Sequence, residues 1–360
     1  MRMALLGVRR CLVDSLRKVA IQEYGFSMSA TKPRVAIIGT GGTISSVGRN
    51  KLDMVDYAAN KRIYDVNELL AQIPEVDTVA DIMPVPFDAI PSTEMGPFQW
   101  LSLQALVHAT ATQQPDLAGI VITHGTASLE ETAYFLNLVL HISIPVVLVG
   151  AQRPASALSG DGPLNLVNAV RVAAAKESRG LGVLAILNDE IHSAREVTKT
   201  STLRLQTFRS PDFGCLGHAD NDHVVYYRCP VRRGAPDTEF DVSSLNELPR
   251  VDIAISYAGA DGAALRGCLD AGAKGIVSAG FAPGLSTAGE RAVLAEYPDV
   301  VVVQSSRVGS GRVAAMTGLR ATPGAVTADN LTPQKARVLL MLGLTVTTDT
   351  RILQRMFDTY

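Results

Sequence analysis

Short apolar runs rich in branched residues, each cut off by glycine and threonine, constrain this chain more than any other feature. The clearest is Val35-Ala-Ile-Ile-Gly-Thr-Gly-Gly-Thr-Ile44, and Leu117-Ala-Gly-Ile-Val-Ile-Thr-His-Gly-Thr126 repeats its logic. Each reads as a buried strand running into a tight turn. Further runs at 145–150 and 182–187 alternate with helical apolar spacing at 66–73, 100–112 and 161–175. A strand is also expected over 76–84. This alternation predicts an α/β fold whose larger N-terminal part is a doubly wound parallel sheet. In such sheets ligands bind beyond the carboxyl ends of the strands, where the glycine turns fall.

A second alternation runs from Val251 to Gln304 and ends in a helix over 333–344, which predicts a smaller C-terminal α/β domain. Between the two, Arg232-Arg-Gly-Ala-Pro-Asp237 and Ser243-Ser244 mark a polar linker. The expected organisation is an extension over 1–33, a catalytic domain over 34–227, a linker over 228–248 and a C-terminal domain over 249–360. In the extension, the apolar start is short and Arg9-Arg10 ends it, unlike a secretory signal. Leu12, Val13, Leu16 and Val19 suggest a short basic amphipathic helix, and Met28 is an alternative start of translation. A cytoplasmic location is expected, with a periplasmic one left open. No run has the apolar length of a transmembrane helix.

The totals exclude several classes. With 360 residues, 47% hydrophobic and 19% charged, the chain has the make-up of a soluble globular protein of about two domains. A net charge of −2 gives no footprint for nucleic acid or an anionic membrane. The four cysteines are scattered and the six histidines lack ligand spacing, so neither a zinc site nor a disulfide framework is expected. Neither phosphate-binding glycine motif, Gly-x-x-x-x-Gly-Lys-Ser/Thr or Gly-x-Gly-x-x-Gly, is present at the first turn.

The residue presented on that turn is Thr43, and a hydroxyl held on a glycine turn can attack an amide or ester. The polar stretch from Ser45 to Ala59 carries one aromatic, Tyr57, and could close over a site; on its residues alone Tyr57 reads equally as a surface aromatic. Ser92 and Thr93 offer hydroxyls at another strand end. Thr126 stands just before a helix, where free N–H groups favour an anion. Ser128 and Glu131 have capping-box spacing. Lys199, among threonines, is either a solvated loop cation or a base whose proton is loosened by desolvation.

Together these pieces resemble the bacterial L-asparaginase/glutaminase family of threonine amidohydrolases. The matching runs are Thr40-Gly-Gly-Thr-Ile44, Thr123-His-Gly-Thr126 with Glu130 to Leu136, Gly150-Ala-Gln-Arg-Pro154, Asp161-Gly-Pro-x-Asn165, Val197-Thr-Lys-Thr200, Ser305-Ser-Arg307 and Pro333-Gln-Lys-Ala-Arg337. The resemblance implies that Thr43 is the nucleophile and Tyr57 its activating partner. It implies that Thr126 and Lys199 form a buried proton-transfer group. Gly42, Ser92, Thr93, Gly125 and position 127 would contact the substrate, with Ser92 and Thr93 at its α-carboxylate. The reaction would release ammonia from a side-chain amide, L-asparagine to L-aspartate, through an acyl-enzyme. The backbone N–H of Ala127 is expected among the oxyanion donors. No metal or organic cofactor is implied. The family's usual assembly is a homotetramer, a dimer of dimers, in which a neighbouring C-terminal domain completes each site.

Two positions depart from the family. Its second motif normally reads His-Gly-Thr-Asp, and here it reads His124-Gly-Thr-Ala127. In relatives that aspartate holds the substrate α-ammonium and belongs to the threonine–lysine group. Its loss leaves three readings: an asparaginase, an amidohydrolase for amides lacking a free α-amino group, and a weakly catalytic small-molecule binder. Glu94 is a candidate replacement for the lost charge. At Tyr257-Ala-Gly-Ala260, relatives often carry asparagine where Gly259 stands.

Overall fold

A computed structural model describes residues 32–315, 322 and 324–360 of the chain. The amphipathic helix expected near residues 12–19 and the alternative start at Met28 lie outside the described residues. The larger sheet contains β1 (Arg34–Gly39), β2 (Asp81–Pro86), β3 (Leu117–Thr123), β4 (Val146–Val149), β5 (Val183–Leu187), β6 (Glu190–Ser193), β7 (Gly217–Ala219) and β8 (Val224–Tyr226). Its spatial order is β8-β7-β6-β5-β4-β3-β1-β2. The five strands β1 to β5 are mutually parallel, while β6, β7 and β8 add antiparallel pairings at one edge. The smaller sheet is wholly parallel, in the order β9 (Val251–Ile255), β10 (Gly275–Gly280), β11 (Val301–Ser306) and β12 (Val326–Thr327).

Strands β1, β3, β4 and β5 are buried almost end to end, because helices cover both faces. The helices are α1 (Val66–Ala71), α2 (Pro97–Gln113), α3 (Leu129–Val139), α4 (Gly162–Ala174), α5 (Ala263–Asp270), α6 (Ala288–Ala295), α7 (Pro333–Gly343) and α8 (Thr350–Thr359). On one face α1 and α4 pack a core around Val35, Ile37, Val121 and Val147. On the other, α2 and α3 bury Trp100, Phe135 and Leu136 in a cluster that runs on through α7 into Val251, Val277 and Val303 of the smaller sheet. Helix α3 is buried nearly all round, as a helix between two sheets must be.

Three expectations differ from the structure. The strand expected over 76–84 is a short helical turn, Val76–Val79, followed by β2, which begins at Asp81 and runs to Pro86. Pro84 and Pro86 are tolerated there because β2 is an edge strand. The chain also continues past α7 into α8, capped by the Asp349 side chain on Arg351 N. Leu353, Met356, Phe357 and Tyr360 give α8 its buried stripe, and Tyr360 packs 5.1 Å from the Phe240 ring. Finally, Ser128 makes no cap bond to α3; its hydroxyl goes elsewhere, as described below. The polar stretch after β8 buries Phe240 and Val242 in the same core cluster, with Phe240 against the Tyr360 ring.

Candidate active site

Four loops converge at the carboxyl ends of β2, β1, β3 and β4, which are adjacent in the sheet. The β1 turn is fixed by Gly41 and Gly42, with φ of 90° and 84°. A Cβ on Gly41 would lie 2.9 Å from Ile90 N, and Thr40 O accepts from Ile90 N at 3.1 Å, so the 90–94 turn is tied to this one. The Thr40 hydroxyl donates to Thr123 O at 2.8 Å, which ties in the β3 turn. Glycine is needed at these positions because the backbones touch.

Thr43 opens a single helical turn, Thr43–Ser45, and its Oγ1 lies 2.7 Å from Tyr57 OH. Tyr57 reaches it because Ser46–Val47 pairs antiparallel with Arg62–Ile63, folding the intervening segment back over the turn. The ion pair Arg49–Asp53 at 3.0 Å braces this segment. Both hydroxyls are half-buried.

Thr126, buried at the end of the β3 turn, accepts a hydrogen bond from Lys199 Nζ at 2.7 Å. The segment holding Lys199 is gripped from two sides. Its backbone N–H donates to Glu130 Oε2 of α3 at 3.2 Å. Lys335 of α7, fully buried, donates from Nζ to the carbonyls of Arg195 and Val197. Burial pulls the Lys199 ammonium below its ordinary pKa, and the Glu130 carboxylate opposes this. The direction follows from desolvation of the charged form. Burial likewise pulls Lys335 down to about 8.

Ser92 is buried and central. Its Oγ accepts from Ala127 N at 3.3 Å, and its carbonyl accepts from the Ser128 hydroxyl at 2.5 Å. Ser128 therefore anchors the 90–94 turn instead of capping α3. The Ala127 N–H, expected among the oxyanion donors, is directed at Ser92 in this structure. Thr93, Glu94 and Ala127 are exposed.

Sequence reasoning passed over Gln152. Its Oε1 accepts from Thr126 Oγ1 at 3.1 Å and from Lys199 Nζ at 3.1 Å. It lay within a motif quoted for the resemblance, but a side-chain amide carries no titration signal that spacing could reveal. His124 is wholly buried and held neutral, its pKa pushed down to about 4 by burial against the opposing bond to Gly125 O. Among the described residues no cluster of histidine, cysteine and acidic side chains could hold a metal ion.

An α/β sheet that gathers hydroxyls and an amine in the turns at its carboxyl edge has the site placement of a small-molecule α/β enzyme. Family models narrow this: residues 34–232 match "Asparaginase, N-terminal" and residues 250–357 match the "Glutaminase/Asparaginase C-terminal domain". A "Probable L-asparaginase periplasmic" of Haemophilus influenzae is 42% identical, over 92% of this chain and 94% of its own. "L-asparaginase 2" of Escherichia coli is 41% identical over 97% of this chain and 100% of its own. "Glutaminase-asparaginase" of Pseudomonas fluorescens is 38% identical over 95% and 94% respectively. A crystal structure titled as a probable cytoplasmic L-asparaginase from Campylobacter jejuni superposes with a TM-score of 0.85 at 41% identity, covering 91% of this chain and 100% of that one. The chain belongs to the asparaginase/glutaminase family and is an amidohydrolase of the asparaginase type.

Proposed function

We propose that this enzyme hydrolyses a side-chain amide, L-asparagine to L-aspartate and ammonia, through a Thr43 acyl-enzyme. The observation that carries the reading is the 2.7 Å pair of Thr43 Oγ1 and Tyr57 OH on the glycine turn. Such a distance lets a proton leave the nucleophile as it attacks. Thr43 Oγ1 bonds to the amide carbon; its proton passes through Tyr57 to the departing nitrogen, and ammonia leaves. Water then attacks the ester, its proton taken up through Thr126 and Lys199; as the acyl C–O bond breaks a proton returns to Thr43 Oγ1, which leaves as the free hydroxyl. Gly42, Ser92, Thr93, Gly125 and Ala127 are assigned to substrate contact. No metal or organic cofactor enters this scheme.

The exposed Ala127 methyl favours a second reading, in which the preferred amide lacks an α-ammonium group. Ammonia release from L-asparagine, L-glutamine and succinamic acid, by wild type and Thr43→Ala, separates the two. Turnover of asparagine that Thr43→Ala abolishes supports the first. Turnover of succinamic acid alone supports the second, and unchanged release by Thr43→Ala refutes both.

The remaining assignments belong to the same reading. We place the catalytic domain at 34–227, the linker at 228–248 and the C-terminal domain at 249–360. The enzyme is proposed to be cytoplasmic and a homotetramer, with a neighbouring C-terminal domain completing each site. Cell fractionation and light scattering check the last two. Among the described residues no helix is long and apolar enough to cross a membrane.

A further inference from the structure

The ammonium of Lys199 meets neutral hydrogen-bond partners. Its Nζ donates to the Thr126 hydroxyl and to the Gln152 amide oxygen, while the carboxylate of Glu130 is bonded to the Lys199 backbone N–H. Position 127, next to Thr126, carries a methyl and supplies no acceptor.

The orientation of the Gln152 amide is fixed by its partners. Its Nε2 donates to Arg204 O at 3.1 Å. The reverse orientation would set an NH2 group against an ammonium and a carbonyl oxygen against a carbonyl oxygen. The loop beneath is held as firmly. Both oxygens of Asp161 accept backbone N–H bonds, from Gln152 at 2.8 Å and Arg153 at 2.9 Å. Asn165 of α4 donates to Gly150 O at 3.0 Å, fixing the start of the same loop. The side chain is thus placed from behind and aimed by its amide.

We propose that Gln152 is a positioning residue that holds Thr126 and Lys199 in proton-transfer geometry as an uncharged acceptor. Its oxygen accepts the hydrogen bond donated by the Thr126 hydroxyl and leaves that hydroxyl's lone pair facing Lys199. Because the acceptor is neutral, it favours the ammonium less than a carboxylate would, so Lys199 gives up its proton at lower pH. The charged group acting on Lys199 is Glu130 from α3, and Glu130 in turn acts on the buried Lys335 of α7. The inference rests on the proposed role of the Thr126–Lys199 pair in hydrolysis.

The test is steady-state ammonia release as a function of pH for wild type, Gln152→Leu, Gln152→Glu and Thr43→Ala, with melting temperatures for each. In Gln152→Leu, kcat should fall ~10- to 100-fold with KM nearly unchanged, as expected when part of general acid–base catalysis is lost. In Gln152→Glu, which keeps shape and an acceptor, the rising limb of the kcat–pH profile should move to higher pH, because the new charge stabilises the ammonium. A merely structural role would lower the melting temperature without moving that limb. If both variants show the wild-type kcat and pH profile while Thr43→Ala is inactive, Gln152 has no positioning role and the hydrolytic reading stands. If Thr43→Ala is active, the hydrolytic reading itself fails and this inference with it.

Discussion

Gly42 and Gly125 touch so closely that a methyl on Gly42 would lie 2.3 Å from Gly125 Cα. Gly42 also has φ 84° and ψ −174°, a region open only to glycine. The turn that presents Thr43 and the turn that presents Thr126 are therefore assembled backbone against backbone. Replacing Gly42 by alanine adds both strain and overlap, each worth about 1–3 kcal/mol. Gly42→Ala should lower the urea midpoint of unfolding and remove activity together, whereas a variant with the wild-type midpoint would contradict this packing.

Tyr57 is half-buried and its hydroxyl meets Thr43 Oγ1, so removing that oxygen should affect chemistry far more than folding. Tyr57→Phe is expected to lower kcat by ~10²–10⁴, the usual range for a positioned acid or base. The melting temperature should stay within a degree or so of wild type. Steady-state kinetics alongside calorimetry checks both halves of the statement.

Ala127 is exposed next to Thr126, and an aspartate there would offer a carboxylate to an α-ammonium group. A charge-assisted hydrogen bond contributes about 1.5–3 kcal/mol. Ala127→Asp should accordingly raise the kcat/KM ratio of asparagine to succinamic acid by roughly ten- to a hundred-fold, at tenfold per about 1.4 kcal/mol. An unchanged ratio would remove position 127 from substrate choice.

His124 supplies a pH dependence of stability. Its Nδ1 faces Gly125 O at 2.7 Å, Nε2 is buried without a partner, and the ring is held neutral down to about pH 4. The unfolded chain binds this proton near pH 6.5, so between pH 6.5 and 4 the unfolded state holds more protons than the native one. Stability must then fall as the pH drops through that window, by about 3 kcal/mol for a shift from 6.5 to 4. Urea titrations at pH 7, 5.5 and 4.5 should show the loss, and His124→Gln should flatten it.

Much of this was legible in the sequence because the period and the turn chemistry agree. The β1 and β3 runs end in glycines whose backbones must touch, and the helices 100–112 and 161–175 carry their buried faces in plain apolar spacing. What spacing could not reveal was competition between partners. Ser128 has the residue type and register of a cap, yet the Ser92 carbonyl at 2.5 Å takes its proton. Residues 76–84 are apolar enough for a strand, but the chain first makes a helical turn before entering β2. Helix α8 was not expected, although Leu353, Met356, Phe357 and Tyr360 have helical spacing. Gln152 was hidden for a different reason: its part in the site depends on a loop held by Asp161, which is a tertiary fact.

The most direct test of the account is the intact mass of the enzyme quenched in acid during turnover of its best amide substrate. The account predicts a fraction of molecules heavier by one acyl group, the modification mapping to the peptide that contains Thr43 and absent from Thr43→Ala. Turnover with no adduct on Thr43 at any quench time, or an adduct that persists in Thr43→Ala, would contradict it.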